Sequence, residues 1–495
     1  MNRLPYSGRV VFVGLCVSQV LATIHVYLSN ADLYRKLTVI RESGYLVVPN
    51  LRIMEHLQEL APAFLGGLFF TFSVGAGLSI VTLAAVWSWD RLLSRNKFLL
   101  IPFLLLWAAC LLLVNLRGFC PMVSLYFFAI PPVIFVLALR WMPPRSGEKA
   151  WLNLTINIAP IILLALLWAP HMDSHIFLKL RDNFLLSNRL GTTINDFYYK
   201  YTLYPAEAFR APEQKMLKTC SVERVKKIPV RRLLETKLLN HDYLEVGGGG
   251  GVDLEIRQNG KDLVFENGGR AILTTSIDGF LSRRSSTLRE FSIKSDKYSF
   301  FRRFTFFSLL IGLPIALYIF LHAILYFIFG LFLGQQRASV MASALCLLAG
   351  ISLYVPFHRY EGGEIRKSDL ARTLKSEDWR DRVGALRVAY EKGMEVAEFP
   401  SYDRMLKSPH IPERYWLTKS LGVSRKPETQ KDILALLDDP HPNVVSMAFY
   451  ALGQRGDRAA IGEIVKRIKR SNDWYNQWYA YKALRSLGWK QTRSN

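Results

Sequence analysis

Residues 118–139 have the sequence GFCPMVSLYFFAIPPVIFVLAL, a run of 22 residues that contains no Asp, Glu, Lys or Arg. A helix needs about 20 apolar residues to cross the roughly 30 Å hydrocarbon layer of a bilayer. A charge-free run of this length therefore predicts a membrane-spanning helix, and the alternative for any one such run is a buried core helix of a soluble domain.

The same pattern recurs along the chain. Charge-free windows occupy one third of the 495 residues, so every charged residue lies in the other two thirds. The windows are 10–28, 60–89, 98–116, 118–139, 150–170, 304–336 and 338–358. This distribution excludes a soluble globular enzyme, a disordered tail protein and a disulfide-rich secreted scaffold. It predicts a polytopic α-helical membrane protein with about seven spans.

The windows divide the chain into four parts. The first window follows Arg3 and Arg9, which predicts a retained signal anchor. The predicted parts are a five-span membrane domain over 1–170 with spans near 10–28, 62–87, 98–116, 119–139 and 150–170, an extramembrane α+β domain over 171–303, a two-span hairpin over 304–358, and a repeat domain over 366–495.

The side of the membrane is judged from the positions of Lys and Arg, which are enriched in cytoplasmic loops. Because the hairpin crosses twice, both large extramembrane regions are expected on the same side. Short loops alone favour exported domains, whereas adding the basic flanks of the two large regions favours cytoplasmic ones. The fuller count leans to the cytoplasmic face of a bacterial inner membrane.

A β-hairpin is predicted within 252–265, where apolar and polar residues alternate around Asn259-Gly260. This pair is preferred in two-residue turns whose central residues both have positive φ. A further strand is expected at 271–277, and 176–240 is expected to be mostly helical. An aromatic cluster in that helical part predicts packing at the membrane interface. The cluster comprises Phe197, Tyr198, Tyr199, Tyr201 and Tyr204.

Residues 366–495 contain a repeating unit. Its landmarks are Leu421-Gly422, Leu452-Gly453 and Leu487-Gly488, spaced by 31 and 35 residues, and turns such as Asp439-Pro440-His441-Pro442 precede them. Each unit predicts a helical hairpin too small to bury its own apolar face, so neighbouring units must stack. Second helices are expected at 430–437 and 460–468, and each landmark glycine is expected to end its helix in the left-handed conformation.

These residues resemble the HEAT-repeat family, in particular the short bacterial form found in phycobilisome-lyase-type proteins. The pattern is clearest at 439–453 and more degenerate at 408–422 and 472–488. The resemblance implies an α-solenoid that binds a protein partner. It implies no lyase chemistry, because the chain carries no catalytic signature to match.

The end of the repeat domain is basic and aromatic. One interpretation is a surface for a protein partner or for anionic lipid head groups. The alternative is a final helix whose aromatic side packs on the preceding repeat; a nucleic-acid partner is not expected. The residues of this predicted surface are Lys466, Arg467, Lys469, Arg470, Lys482, Arg485, Trp474 and Trp478.

His171, Asp173 and His175 are the candidate metal ligands, since two His at i and i+4 share a helix face. No third strong ligand is evident, so an incidental arrangement is the alternative. No catalytic residue is identified and no cofactor is expected. His25 and His322 lie inside the predicted spans and no Asp, Glu, Lys or Arg does, which argues against a proton-coupled pump.

The sequence thus predicts an integral membrane scaffold or accessory subunit that presents a HEAT-like surface for protein–protein interaction, more an interaction protein than an enzyme. The alternative is a membrane-embedded, lipid-handling enzyme or transporter with regulatory soluble domains. The bilayer is the one partner that the composition itself implies, and the oligomeric state stays open.

Overall fold

The computed structural model describes residues 5–143, 149–172, 176–247, 251–359 and 369–493. The chain is mostly helical, with one small sheet. In chain order the elements up to the sheet are α1 (Tyr6–Glu42), α2 (Leu51–Met54), α3 (Leu60–Arg91), α4 (Phe98–Asn115), α5 (Pro121–Trp141), α6 (Lys149–Trp168), α7 (Ile176–Leu185) and α8 (Arg189–Phe209).

The sheet region and the helices that follow it complete this part of the chain. They are β1 (Lys218–Ser221), α9 (Ile228–Leu239), β2 (Tyr243–Glu245), β3 (Leu254–Asn259), β4 (Asp262–Asn267), β5 (Arg270–Ser276), α10 (Ile277–Ser282), α11 (Arg284–Ser295), α12 (Ser299–Phe329) and α13 (Gln335–Arg359).

Six described helices are long and apolar enough to cross a membrane: α1, α3, α4, α5, α12 and α13. A seventh candidate is the pair formed by α6 and α7, which is bent by 105°. The expected count of about seven spans therefore becomes six, or seven if the bent pair is one span.

The first predicted span, 10–28, is part of a much longer helix. Helix α1 continues to Glu42, so the residues expected in a short loop after the span are helical. Its extension reaches the sheet, where the Lys36 ammonium lies 3.1 Å from a carboxylate oxygen of Asp253. The charges of this segment end the apolar run without ending the helix, because Asp, Arg and Lys are compatible with helical backbone.

The apolar helices pack through small residues. Both α3 and α12 contain a π-helical turn, at Thr71–Gly75 and Ser308–Gly312. A Cβ atom placed on Gly312 would lie 3.0 Å from the backbone of Gly77. Small residues at such contacts let two helix backbones approach closely, which is how helices associate where water is absent.

The polar segments gather at one end of the bundle. Arg117, after α4, donates a 2.8 Å hydrogen bond to the carbonyl of Ile293 in α11. The end of α1 contacts the sheet domain through Lys36, and the segment after α1 contacts the C-terminal repeats. At the opposite end, Arg91 donates to the carbonyl of Pro143.

The sheet has the strand order β2-β1-β3-β4-β5. Strand β1 pairs in parallel with β2 and β3, while β3, β4 and β5 are antiparallel. The predicted hairpin and the predicted strand near 271–277 are present, whereas β1 lies in the region expected to be mostly helical and β2 has no counterpart among the predicted elements. Phe265, Phe280 and Phe291 form the centre of the core between the sheet and helices α10 and α11.

The hairpin turn lies one residue later than predicted. Asn259 pairs with Asp262, so the two loop residues are Gly260 and Lys261 rather than Asn259 and Gly260. Gly260 has a φ of +62°, and Asn259 does not have a positive φ. Glycine at the first loop position fits the type II′ turn, which requires positive φ only there.

The C-terminal region is a stack of helical hairpins. Its helices are α14 (Leu370–Thr373), α15 (Trp379–Glu391), α16 (Tyr402–Leu406), α17 (Ile411–Leu421), α18 (Thr429–Leu436), α19 (Pro442–Arg455), α20 (Ile461–Arg470) and α21 (Trp474–Ser486). We call α15, α17, α19 and α21 the A layer, in which successive helices pack on each other, and α16, α18 and α20 the B layer.

The landmark glycines have a different role from the expected cap. Gly453 lies inside α19, and a Cβ there would come within 2.8 Å of the Ala483 Cα; Gly422 has the same relation to Ala451, at 3.1 Å. The left-handed residue that follows α19 is Gly456, with a φ of +79°. The repeated glycine therefore permits close contact between successive A-layer helices, and of the three landmarks only Gly488 is left-handed.

Candidate functional site at the repeat array

One position recurs on the same face of each A-layer helix. The N-caps of the four helices are Asp378, His410, His441 and Asp473. Counting nine residues from each cap reaches one basic or tyrosine side chain per helix. We call these residues the +9 row: Arg387, Lys419, Tyr450 and Lys482. Since equal distances from equivalent caps give equivalent positions on parallel helices, the row crosses successive repeats.

Helix α7 packs on this face of the array through a buried ionic cluster. The Asp182 carboxylate accepts hydrogen bonds from Arg181 Nε at 2.8 Å, from Trp416 Nε1 at 2.7 Å and from Arg387 Nη2 at 2.5 Å. Arg181 also donates to the Tyr415 hydroxyl at 2.9 Å. Such a cluster fixes geometry, because every charge in it requires its partners once water is excluded.

A cavity of about 660 Å³ lies beside that cluster, between α7, α8 and the A layer. Three of its lining side chains are basic and five are tyrosines, and the described lining contains no Asp or Glu. The lining residues are Leu178, Arg181, Tyr199, Tyr415, Lys419, Met447, Tyr450, Gly453, Gln454, Tyr475, Tyr479, Lys482, Ala483 and Ser486.

The two lysines of the cavity rest on aromatic rings. The Lys419 ammonium lies 4.4 Å from the ring centre of Tyr390 and 4.5 Å from that of Trp416, and the Lys482 ammonium lies 3.5 Å from that of Trp478. Within the described part of the chain neither ammonium forms an ion pair, and the carboxylates that act on them, Asp182 and Glu391 on Lys419 and Glu207 on Lys482, do so at longer range. Burial lowers the pKa of both lysines, because desolvation disfavours the charged form.

Helix α8 closes another side of the cavity with residues of the predicted aromatic cluster. The rings of Tyr199 and Tyr475 are 4.2 Å apart, so this tyrosine packs on the repeat array. Its neighbour Tyr198 lies 6.3 Å from Phe69 of α3. The cluster thus lies between the apolar bundle and the array; packing at the membrane interface stays a prediction, and the sequence pattern did not indicate the contact with the array.

The C-terminal end of the array is covered by the segment after α1. The Asn50 side-chain amide donates to the carbonyls of Ile468, Lys469 and Ser471, at 2.9, 3.2 and 2.8 Å. The Asn50 backbone N–H donates to Gln477 at 2.8 Å. Because the last carbonyls of a helix have no partner within it, Asn50 acts as a cap that another part of the chain supplies to α20.

The predicted basic and aromatic surface is divided between several roles. Trp474 is buried, Arg467 pairs with Asp438 and Glu463, and Arg485 pairs with Asp242. Trp478 carries the Lys482 ammonium on its ring. The three that remain exposed on the B-layer helix α20 are Lys466, Lys469 and Arg470.

The candidate metal ligands are only partly described. His171 is buried, and its Nε2 lies 2.9 Å from the Tyr354 hydroxyl. Asp173 and His175 lie outside the described residues, so the metal hypothesis stays a prediction. Among the residues that the structure covers, no group of three or more His, Cys, Asp or Glu side chains is arranged to hold a metal ion.

Sequence reasoning missed the cavity, although part of its signal was present. Aligning the repeats by their caps, rather than by the Leu-Gly landmarks, brings Lys419, Tyr450 and Lys482 into register. No local pattern marks Arg181 and Tyr199 as their neighbours, because these residues come from a segment more than 200 positions earlier.

The comparisons with known proteins agree with the repeat architecture. The family model described as HEAT repeats matches residues 402–485. Neither the comparison with curated proteins nor that with solved structures finds a match. The matched segment begins at α16 and ends within α21, so it contains three of the four A-layer helices. The C-terminal part of this chain is therefore an array of HEAT repeats.

Proposed function

We propose that this protein is an integral membrane scaffold or accessory subunit that presents its HEAT repeats to a protein partner. The main support is the unequal covering of the array. Helices α7 and α8 cover part of the A layer and Asn50 caps one end of α20, while each B-layer helix keeps exposed side chains among the residues that the structure describes. The exposed face of the B layer includes Lys431, Lys466 and Lys469.

The membrane part of the proposal is supported by the outer surface of the bundle. Leu105 and Leu112 of α4 are 64% and 72% exposed, and other large apolar side chains surround them. A continuous apolar surface of this size is unfavourable in water and suits hydrocarbon. We expect the protein to stay in the membrane fraction after alkaline carbonate extraction, and release into the supernatant would contradict the proposal.

The interaction role can be tested by site-specific photo-cross-linking in intact membranes. A photoreactive residue at Lys431, Ala435 or Lys466 should give one discrete cross-linked species of defined mass. The same residue at Lys226, which is exposed on the sheet domain, is the matched control. Equal labelling at all four positions, or no labelling on the B layer, would contradict a scaffold function.

The proposed location is the bacterial inner membrane, with both large regions on the cytoplasmic side. A reporter that is active only in the cytoplasm, fused after Asn495, tests the side directly. An active reporter is expected. An inactive one, with activity of the matching exported reporter, would place the array and its partner on the other side.

A further inference from the structure

We propose that the cavity between α7, α8 and the A layer binds an acidic segment of the protein partner. This inference rests on the proposed scaffold function and deepens it, since it names the chemistry that the partner must present. It concerns a different face of the array from the B layer.

The charge of the cavity is the first argument. Arg181, Lys419 and Lys482 line it, and its described lining offers no carboxylate. The nearby Asp182 is 1% exposed and already accepts from Arg181, Arg387 and Trp416. Aromatic rings attract a lysine ammonium without neutralising it, so Lys419 and Lys482 remain available to an anionic ligand.

The tyrosines are the second argument. Tyr199, Tyr415, Tyr450, Tyr475 and Tyr479 offer rigid rings with hydroxyl groups, and Tyr and Arg are enriched where protein interfaces gain most of their binding energy. The only larger aliphatic side chains of the lining are Leu178 and Met447. A lipid acyl chain requires an apolar wall, so the lining favours a polar peptide over a lipid.

The spacing of the +9 row is the third argument. Packed helices lie about 8–10 Å apart, so Lys419 and Lys482, which are two helices apart, are separated by roughly 16–20 Å along the array. An extended chain advances about 3.3 Å per residue, so this distance corresponds to roughly five or six residues. A short peptide with carboxylates at both ends of such a stretch matches both lysines, with Tyr450 between them.

The test uses the full chain in nanodiscs of neutral phosphatidylcholine and a fluorescein-labelled hexaglutamate peptide. We expect saturable binding by fluorescence anisotropy, weakened by salt, and none for labelled hexaglutamine. K419Q and K482Q should each weaken binding about tenfold, because each removes one partly desolvated charge contact. K482R keeps the charge and should retain binding, and K226Q, which alters an exposed lysine of the sheet domain, should change nothing.

Several outcomes would overturn the inference. Absence of saturable peptide binding would do so. So would a loss of affinity in K226Q equal to that in K419Q and K482Q, because it would indicate general attraction to a basic protein. If nanodiscs containing phosphatidylglycerol abolish peptide binding and K419Q relieves that inhibition, the cavity is a lipid head-group site instead. Competition by inorganic phosphate alone would indicate a free anion.

The two proposals fail separately. Loss of B-layer cross-linking with intact hexaglutamate binding contradicts the scaffold function and leaves a peptide-binding cavity without its partner. Intact cross-linking without hexaglutamate binding contradicts the cavity assignment alone.

Discussion

The apolar bundle and the repeat array both bring helices close together at glycines, and the array adds buried ion pairs between its helices. In the bundle, α3 and α12 meet backbone to backbone at Gly77 and Gly312. In the array, neighbouring repeats are joined by buried ion pairs such as Arg382 with Glu413. In the hydrocarbon surroundings that we propose for the bundle, close packing must supply the attraction between helices, whereas the array can also bury paired charges and use them to fix its register.

The largest loss of stability is expected from breaking the buried ion pair that joins α15 to α17. Glu413 is fully buried and accepts from Arg382 at 2.5 and 2.8 Å and from Ser408 at 2.6 Å. E413A removes the carboxylate that pairs with the buried Arg382 guanidinium, which costs about 3–5 kcal/mol. The change is measured by thermal or denaturant unfolding of the full chain in detergent.

The matched control removes an exposed partner of the same type. Glu377 pairs with Arg404 at 3.2 Å and its side chain is 93% exposed, so E377A should leave stability nearly unchanged. Similar losses in the two variants would contradict the role given to the buried pair.

The close approach in the bundle can be broken in the same way. In G312V the new side chain meets the Gly77 backbone, which cannot move aside without separating α3 from α12. Overpacking of this kind costs about 1–3 kcal/mol. The melting temperature in detergent should fall, whereas G462V, at a helical glycine with open space around it, should change it much less. A neutral G312V would show that the contact is not tight.

Asn50 joins the N-terminal region to the array as a helix cap. Removing this cap is expected to cause an intermediate loss of stability. N50A removes the donor to three carbonyls at the end of α20 and should cost about 1–2 kcal/mol. N50D should be worse than N50A, because it places a negative charge at the helix C-terminus. The local loss of stability is measured by limited proteolysis of the C-terminal residues. R41A, at an exposed residue near the end of α1, is the control.

The smallest expected effect is a dependence of stability on pH, which originates where α1 meets the sheet. Burial of Asp253 opposes its ionisation, but the charges of Lys215 and Lys36 outweigh burial and hold its pKa well below the ordinary value. A depressed carboxylate pKa gives stability that is present at neutral pH and lost on acidification, amounting to about 1 kcal/mol by pH 3.

This loss is measured as the difference between unfolding free energies at pH 6 and pH 3. D253N cannot titrate and should show a flatter curve than the native chain over the same interval. Identical slopes would contradict the assignment. D262N, which removes a carboxylate on an exposed strand residue, serves as the control.

Much of the fold could be predicted because its signals are local. Charge-free length marked the apolar helices, and alternation around Gly260 marked the hairpin. The wrong predictions concern positions whose structure depends on tertiary contacts. Helix α1 continues past its apolar run, and its charged extension contacts Asp253. The Gly453 landmark packs against Ala483 instead of capping a helix.

The sequence by itself determined which segments are apolar, which repeat, and that the repeats are of the HEAT type, since these properties depend on spacing along one chain. Only the tertiary structure decided that α7 meets the +9 row at Arg387, that Asn50 caps α20, and that Lys466 stays exposed while Arg467 and Trp474 do not. The first two outcomes depend on contacts between segments hundreds of residues apart, for which a single sequence carries no local signal.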